Sequence, residues 1–258
     1  MRRIVIIFLI VIAWGILSGF EIAPSFSPEL LKEAQAKNPE AMYKLALCYH
    51  QGMGTTVNYK EAFYWFKKAA KKKIPEAQFI LSNYYDAGRG VKRSTLDSFQ
   101  WCKKAAEQGH VPAMVNLGSK YKWGEGVLRN PQKAFYWTSK AVEAKSTLAY
   151  LNIASHYIEG YGVEKNEQEA FRYVMLAFTS GEPMGAYILG DYFNIGIGTK
   201  KDAFQAYYYY LIAAIFDKNH TQVKLDLLRR ELSAEQVKEA EQKRDGWVEE
   251  NRLKYNLE

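Results

Sequence analysis

The stretch AMVNLGSKYKWGEGVLRNPQKAFYWTSKA, residues 113–141, decides the fold, because its landmarks recur along the chain at a fixed step of 36 residues. Ala113 is matched by Ala41, Ala77 and Ala149, and the next step reaches Gly185. Leu117 is matched by Leu45, Leu81, Ile153 and Leu189, and Tyr121 by Tyr49, Tyr85, Tyr157 and Phe193. Trp137 has its counterparts in Trp65, Trp101, Tyr173 and Tyr209. A period between roughly 20 and 50 residues marks an array of stacked helical or mixed units. Positions that repeat are therefore structural by default, and function is to be sought where the units differ.

Each unit reads as two helices. Ala113, Leu117 and Tyr121 lie four apart on one face of the first, helix A. A small residue (Ala46, Ser82, Gly118, Ala154, Gly190) sits where a neighbour must come close. Helix A is expected to end at Gly52, Gly88, Gly124, Gly160 and Gly196, since glycine accepts the left-handed conformation that stops a helix. Helix B is expected to open at Asn58, Ser94, Asn130, Asn166 and Asp202, all good N-cap residues.

The pattern AxxxLGxxYxxGxGVxxNxxKAxxWxxKA, most complete from Ala113 to Ala141, resembles the Sel-1-like repeat, a relative of the tetratricopeptide repeat. The resemblance implies an all-α fold, a right-handed solenoid of antiparallel helix pairs, with five units at 41–76, 77–112, 113–148, 149–184 and 185–220. Residues 29–40 read as an N-terminal capping helix and residues 221–258 as C-terminal capping helices. Ser233 with Gln236 has the spacing that opens the last helix.

Before the repeats, Arg2 and Arg3 precede an unbroken apolar run from Ile4 to Leu17. Residues 1–20 thus read as a signal anchor or a signal peptide, followed by a linker at 21–28. The expected location is outside the cytoplasm: anchored in the inner membrane facing the periplasm, or periplasmic or secreted if the segment is cleaved. Two cysteines, Cys48 and Cys102, occupy different helices of different units and read as free, buried thiols.

The net charge of +7 is modest for 258 residues and lacks the concentrated basic stripe that nucleic acid needs. Only Lys67, Lys68, Lys71, Lys72 and Lys73 cluster, at the end of a helix B where solvated cations are ordinary. The four histidines stand far apart and no HxxxH or CxxC occurs, so no metal and no cofactor are expected.

The resemblance to tetratricopeptide-like superhelices implies that variable helix A side chains line a concave groove. Three columns fall there: Tyr43, Phe79, Val115, Leu151 and Tyr187; Leu47, Asn83, Ser119, Ser155 and Asp191; His50, Asp86, Lys122, Ile158 and Asn194. An apolar stripe beside hydroxyl, amide and charged groups suits an extended peptide or a segment of another protein. Part of the first column can instead pack against the next helix A.

The preferred reading is an exported, non-catalytic scaffold or adaptor, not an enzyme, acting as a monomer on a protein or peptide partner and tied to the membrane by its N-terminal segment. An envelope enzyme or drug-binding protein acting on cell-wall material is the alternative, since Ser119 and Lys122 form the SxxK spacing of β-lactam-recognising proteins. No SDN or KTG accompanies it. A weaker alternative assigns the lysine cluster to an anionic lipid or polysaccharide.

Overall fold

A computed structural model describes residues 24–255. Among them are thirteen helices and no strand: α1 (Pro28–Gln35), α2 (Pro39–Gln51), α3 (Tyr59–Lys71), α4 (Pro75–Ala87), α5 (Thr95–Glu107), α6 (Val111–Trp123), α7 (Pro131–Glu143), α8 (Thr147–Glu159), α9 (Glu167–Thr179), α10 (Met184–Ile195), α11 (Ala203–Phe216), α12 (Lys218–Leu228) and α13 (Ala234–Tyr255). The described residues form two compact units, divided between Ala105 and Ala106. The apolar run from Ile4 to Leu17 lies outside the described residues. Among the described residues, no helix is long and apolar enough to cross a membrane.

Local chemistry sets the helix limits. The side chains of Asn58, Ser94, Asn130, Asn166 and Asp202 each accept from a backbone N–H in the first turn of the helix they open, satisfying donors that have no partner inside a helix. The helices A that begin at Pro39, Pro75, Val111, Thr147 and Met184 all stop at a left-handed glycine. The second glycine of each turn serves another purpose. A Cβ on Gly162 or Gly198 would strike the carbonyl of Pro131 or Glu167 respectively. The turns at Gly90, Gly162 and Gly198 therefore lie directly against the start of the preceding repeat's helix B, while Gly54 faces Ser25 and Phe26.

In the first unit, Leu45, Phe66, Leu81 and Tyr84 are fully buried in one core. Residues Pro24 to Ser27, read as linker, dock onto it: the Phe26 ring meets Tyr49 edge-on at 5.8 Å, and its N–H bonds the Met53 carbonyl at 3.0 Å. An aromatic side chain beside an apolar core explains the docking. Cys48 and Cys102 are both buried and neither is joined in a disulfide.

In the second unit, Val174, Leu189 and Ile212 anchor one core cluster, and Tyr210, Leu228 and Ala240 another. The sequence places the end of the last helix near Asn251, whereas α13 continues to Tyr255. Its far end is held by aromatic packing: Trp247 stacks on Phe178 of α9 at 5.7 Å, and Tyr255 meets Phe216 and Trp247. Ser233 and Gln236 form a reciprocal capping box at its start.

Candidate partner-binding face

The three variable columns do not behave alike. In the first, Val115 is buried against Ala141 and Ala149. Tyr43 and Leu151 are half-buried against their units' cores, and Phe79 is half-buried. Tyr187 packs on the Tyr210 ring at 5.9 Å. Packing thus accounts for much of this column.

The polar columns are where adjacent helices A are pinned together. In the first unit His50 Nδ1 lies 2.7 Å from the Tyr84 hydroxyl, and the imidazole is enclosed by the rings of Tyr59, Phe66 and Tyr84. Burial first, and the Arg89 charge second, hold the His50 pKa below its ordinary value. Leu47 packs on the same core, while Asn83 and Asp86 are half-buried on α4.

In the second unit, Lys122 of α6 donates to Ser155 Oγ and to Glu159 Oε1 of α8, both at 2.8 Å. Ser155 also donates to Glu159 at 2.6 Å. Burial opposes ionisation of Glu159, but these two donors outweigh it and keep the carboxyl below its usual range. Asp191 of α10 accepts from the Tyr210 hydroxyl at 2.6 Å and pairs with Lys224 of α12. Gly190 makes this possible, since a Cβ there would collide with the Tyr210 ring. Ile158 packs on the core, and Asn194 is half-buried.

Ser119 and Lys122 share a pocket of about 150 Å³ with Thr138, Asn152, Ser155 and His156. It is smaller than the roughly 300 Å³ at which drug-sized ligand sites begin. The Lys122 ammonium points at Ser155 and Glu159, not at Ser119, so the SxxK spacing does not produce a serine activated by its lysine. Beneath it, His156 Nδ1 lies 2.6 Å from the Tyr161 carbonyl. A carbonyl only accepts, so Nδ1 carries the proton and Nε2 faces Thr138 Oγ1 at 3.4 Å. Burial is the main reason the His156 pKa is lowered.

Sequence reasoning overlooked the column one step beyond the third. Trp123 and Ile195, the last residues of α6 and α10, are 59% and 65% exposed, with Glu159 at the corresponding end of α8. Trp123 adjoins the Lys122 network, whose ammonium lies 5.3 Å from its ring. The signal was available: an apolar residue just before the helix-ending glycine, in register with Gln51, Ala87 and Glu159. At the opposite end of α10 from Ile195, Met184, Tyr187, Ala213 and Phe216 wall an apolar pocket of about 430 Å³, with Asp217 and His220 at its edge. Among the described residues, no group of three or more His, Cys, Asp or Glu is placed to hold a metal.

The Sel1 repeat pattern matches residues 39–73, 75–110, 111–146, 147–177 and 183–215, well over half of the chain. The chain belongs to the Sel1 repeat family. A Sel1 repeat protein from Oxalobacter formigenes, solved by crystallography, is 30% identical with a TM-score of 0.70 over 78% of each chain. A protective antigen of uropathogenic Escherichia coli strains, which displays an SLR fold, is 24% identical with a TM-score of 0.56, covering 85% of this chain and 55% of its own. No curated protein matches the chain. The fold is thus the Sel1-like, tetratricopeptide-related helical solenoid, and Sel1 repeat proteins generally act as protein-interaction scaffolds.

Proposed function

We propose that this Sel1 repeat protein is a non-catalytic scaffold, exported and held at the inner membrane by its N-terminal segment, that binds a segment of another protein as a monomer. The binding face is the helix A face of the second unit, from Trp123 past Ser155 and Glu159 to Ile195 and the pocket beside Tyr187. The observation that carries this reading is the exposure of Trp123 and Ile195 on either side of an organised polar cluster. Large apolar side chains around satisfied polar groups are what interfaces use as anchors. The apolar pocket offers a seat for a bulky side chain of the partner.

The test is photo-crosslinking in cells, with the photoreactive residue placed at Trp123 and, separately, at Tyr136, which is 52% exposed on a helix B. A discrete protein adduct at position 123 and none at 136 is expected. Equal labelling at both sites, or none at 123, would remove the face from consideration. A labelled β-lactam that acylates the wild-type protein and not Ser119→Ala would replace the scaffold reading with the cell-wall alternative.

A further inference from the structure

The charge of this chain is not spread evenly. Residues 24–105 hold 14 Lys and Arg against 7 Asp and Glu, a net of +7, whereas residues 106–258 hold 19 against 20. The first unit therefore carries the equivalent of the whole chain's net charge. On α3, Tyr64, Lys67, Lys68 and Lys71 are spaced i, i+3, i+4 and i+7, which puts them on one stripe. Glu61 is the only acidic residue of that helix and sits at its opposite end. Lys72 and Lys73 extend the cluster and are exposed, with Glu76 beyond them in the first turn of α4. One repeat further on, α5 places Lys103 and Lys104 at the same register, also exposed.

The stripe is also aromatic. Tyr64 is 47% exposed, with Lys68 Nζ 4.4 Å from its ring and 5.0 Å from that of Trp65. Lys67 lies 5.5 Å from Phe63 and Lys104 4.2 Å from Trp101. Trp65 itself is buried in the core, so the exposed aromatic of the stripe is Tyr64, and an exposed tyrosine ringed by lysines suits the boundary between lipid headgroups and water. Sequence position favours the same partner. Only six residues separate the apolar run ending at Leu17 from Pro24, where the described chain begins. Seven extended steps reach at most roughly 25 Å.

We infer that the α3 stripe of the first unit, Tyr64, Lys67, Lys68 and Lys71 with Lys72 and Lys73, lies against the anionic phospholipid headgroups of the membrane that holds the N-terminal segment. This second surface rests on the tether included in the proposed function and is distinct from the partner-binding face. Each lysine near an anionic leaflet contributes roughly a fivefold preference, and the attraction extends only over a Debye length. The apolar segment and the basic stripe contribute separately: the first tethers the chain, and the second adds an electrostatic contact that depends on anionic lipid.

The test uses the full chain with vesicles of phosphatidylcholine alone and of phosphatidylcholine with phosphatidylglycerol. A membrane-impermeant acylating reagent labels the lysines, and mass spectrometry reads each one against Lys200 and Lys201 of the near-neutral second unit. Labelling of Lys67, Lys68 and Lys71 should fall about fivefold when phosphatidylglycerol is present, and recover at high salt. In Lys67→Gln/Lys68→Gln/Lys71→Gln, protection of Lys72 and Lys73 should disappear. Equal labelling in the two vesicles overturns the inference. So does protection by heparin but not by phosphatidylglycerol, which assigns the stripe to a soluble polyanion. Flotation with the vesicles reports on the tether separately: binding to both kinds without protection keeps the tether and rejects the stripe. Binding to the phosphatidylglycerol vesicles alone does the reverse, and binding to neither rejects both.

Discussion

At Gly162 a methyl group has nowhere to go. Its φ is +79° and the space beyond Cα is filled by the Pro131 carbonyl, whereas two residues earlier Gly160 has φ +64° and its nearest neighbour would be 3.6 Å away. The two alanine substitutions should therefore separate. Gly160→Ala pays only the left-handed backbone, about 1–2 kcal/mol, while Gly162→Ala adds a backbone collision and should lose clearly more, read by urea denaturation of each variant. Histidine protonation makes a second expectation. His50 and His156 titrate below their ordinary value in the folded chain, so the unfolded chain binds more protons as pH falls below about 6.5. Stability should be level above that pH and decline beneath it, by up to about 1.4 kcal/mol per pH unit for each histidine. His156→Gln should flatten the slope between pH 6.5 and 5; an unchanged slope would show that His156 is not the group responsible.

Among the elements, α7 and α13 are the informative pair. Asn130→Ala removes the bond from Lys133 N–H that opens α7 and should cost about 1 kcal/mol, seen as a lower urea midpoint. Trp247→Ala should release the end of α13 by removing its stack on Phe178, raising amide exchange over residues 247–255 and leaving the buried turns of α11 protected. The caps and the glycine stops were legible from the 36-residue step because each depends on neighbours within four residues. The polar pairs were not. Lys122 with Ser155, and Asp191 with Lys224, each join residues 33 apart, and no local pattern says which variable side chains will turn toward one another. Asp191, a groove position in the sequence, has its carboxylate engaged by Tyr210 and Lys224. Trp123 and Ile195 were missed for the opposite reason: an apolar residue at the end of a helix reads as core, and only the folded chain leaves these two exposed.

For the molecule as a whole, the proposed roles fall on two surfaces with different chemistry: a basic stripe around Tyr64 in the first unit and an apolar-flanked polar face in the second. A scaffold built from repeats can separate such surfaces because each repeat is stabilised mainly by its immediate neighbours. On the proposed function, the second unit's helix A face binds a polypeptide through exposed anchors. The most direct measurement is the affinity of the purified full chain for the polypeptide crosslinked at position 123, compared among wild type, Trp123→Ala, Ile195→Ser and Tyr136→Ala. Loss of an interface anchor costs about 2 kcal/mol or more, or roughly 30-fold in Kd. Trp123→Ala should show that weakening, Ile195→Ser a smaller loss, and Tyr136→Ala an unchanged Kd. Equal affinity of wild type and Trp123→Ala would contradict it.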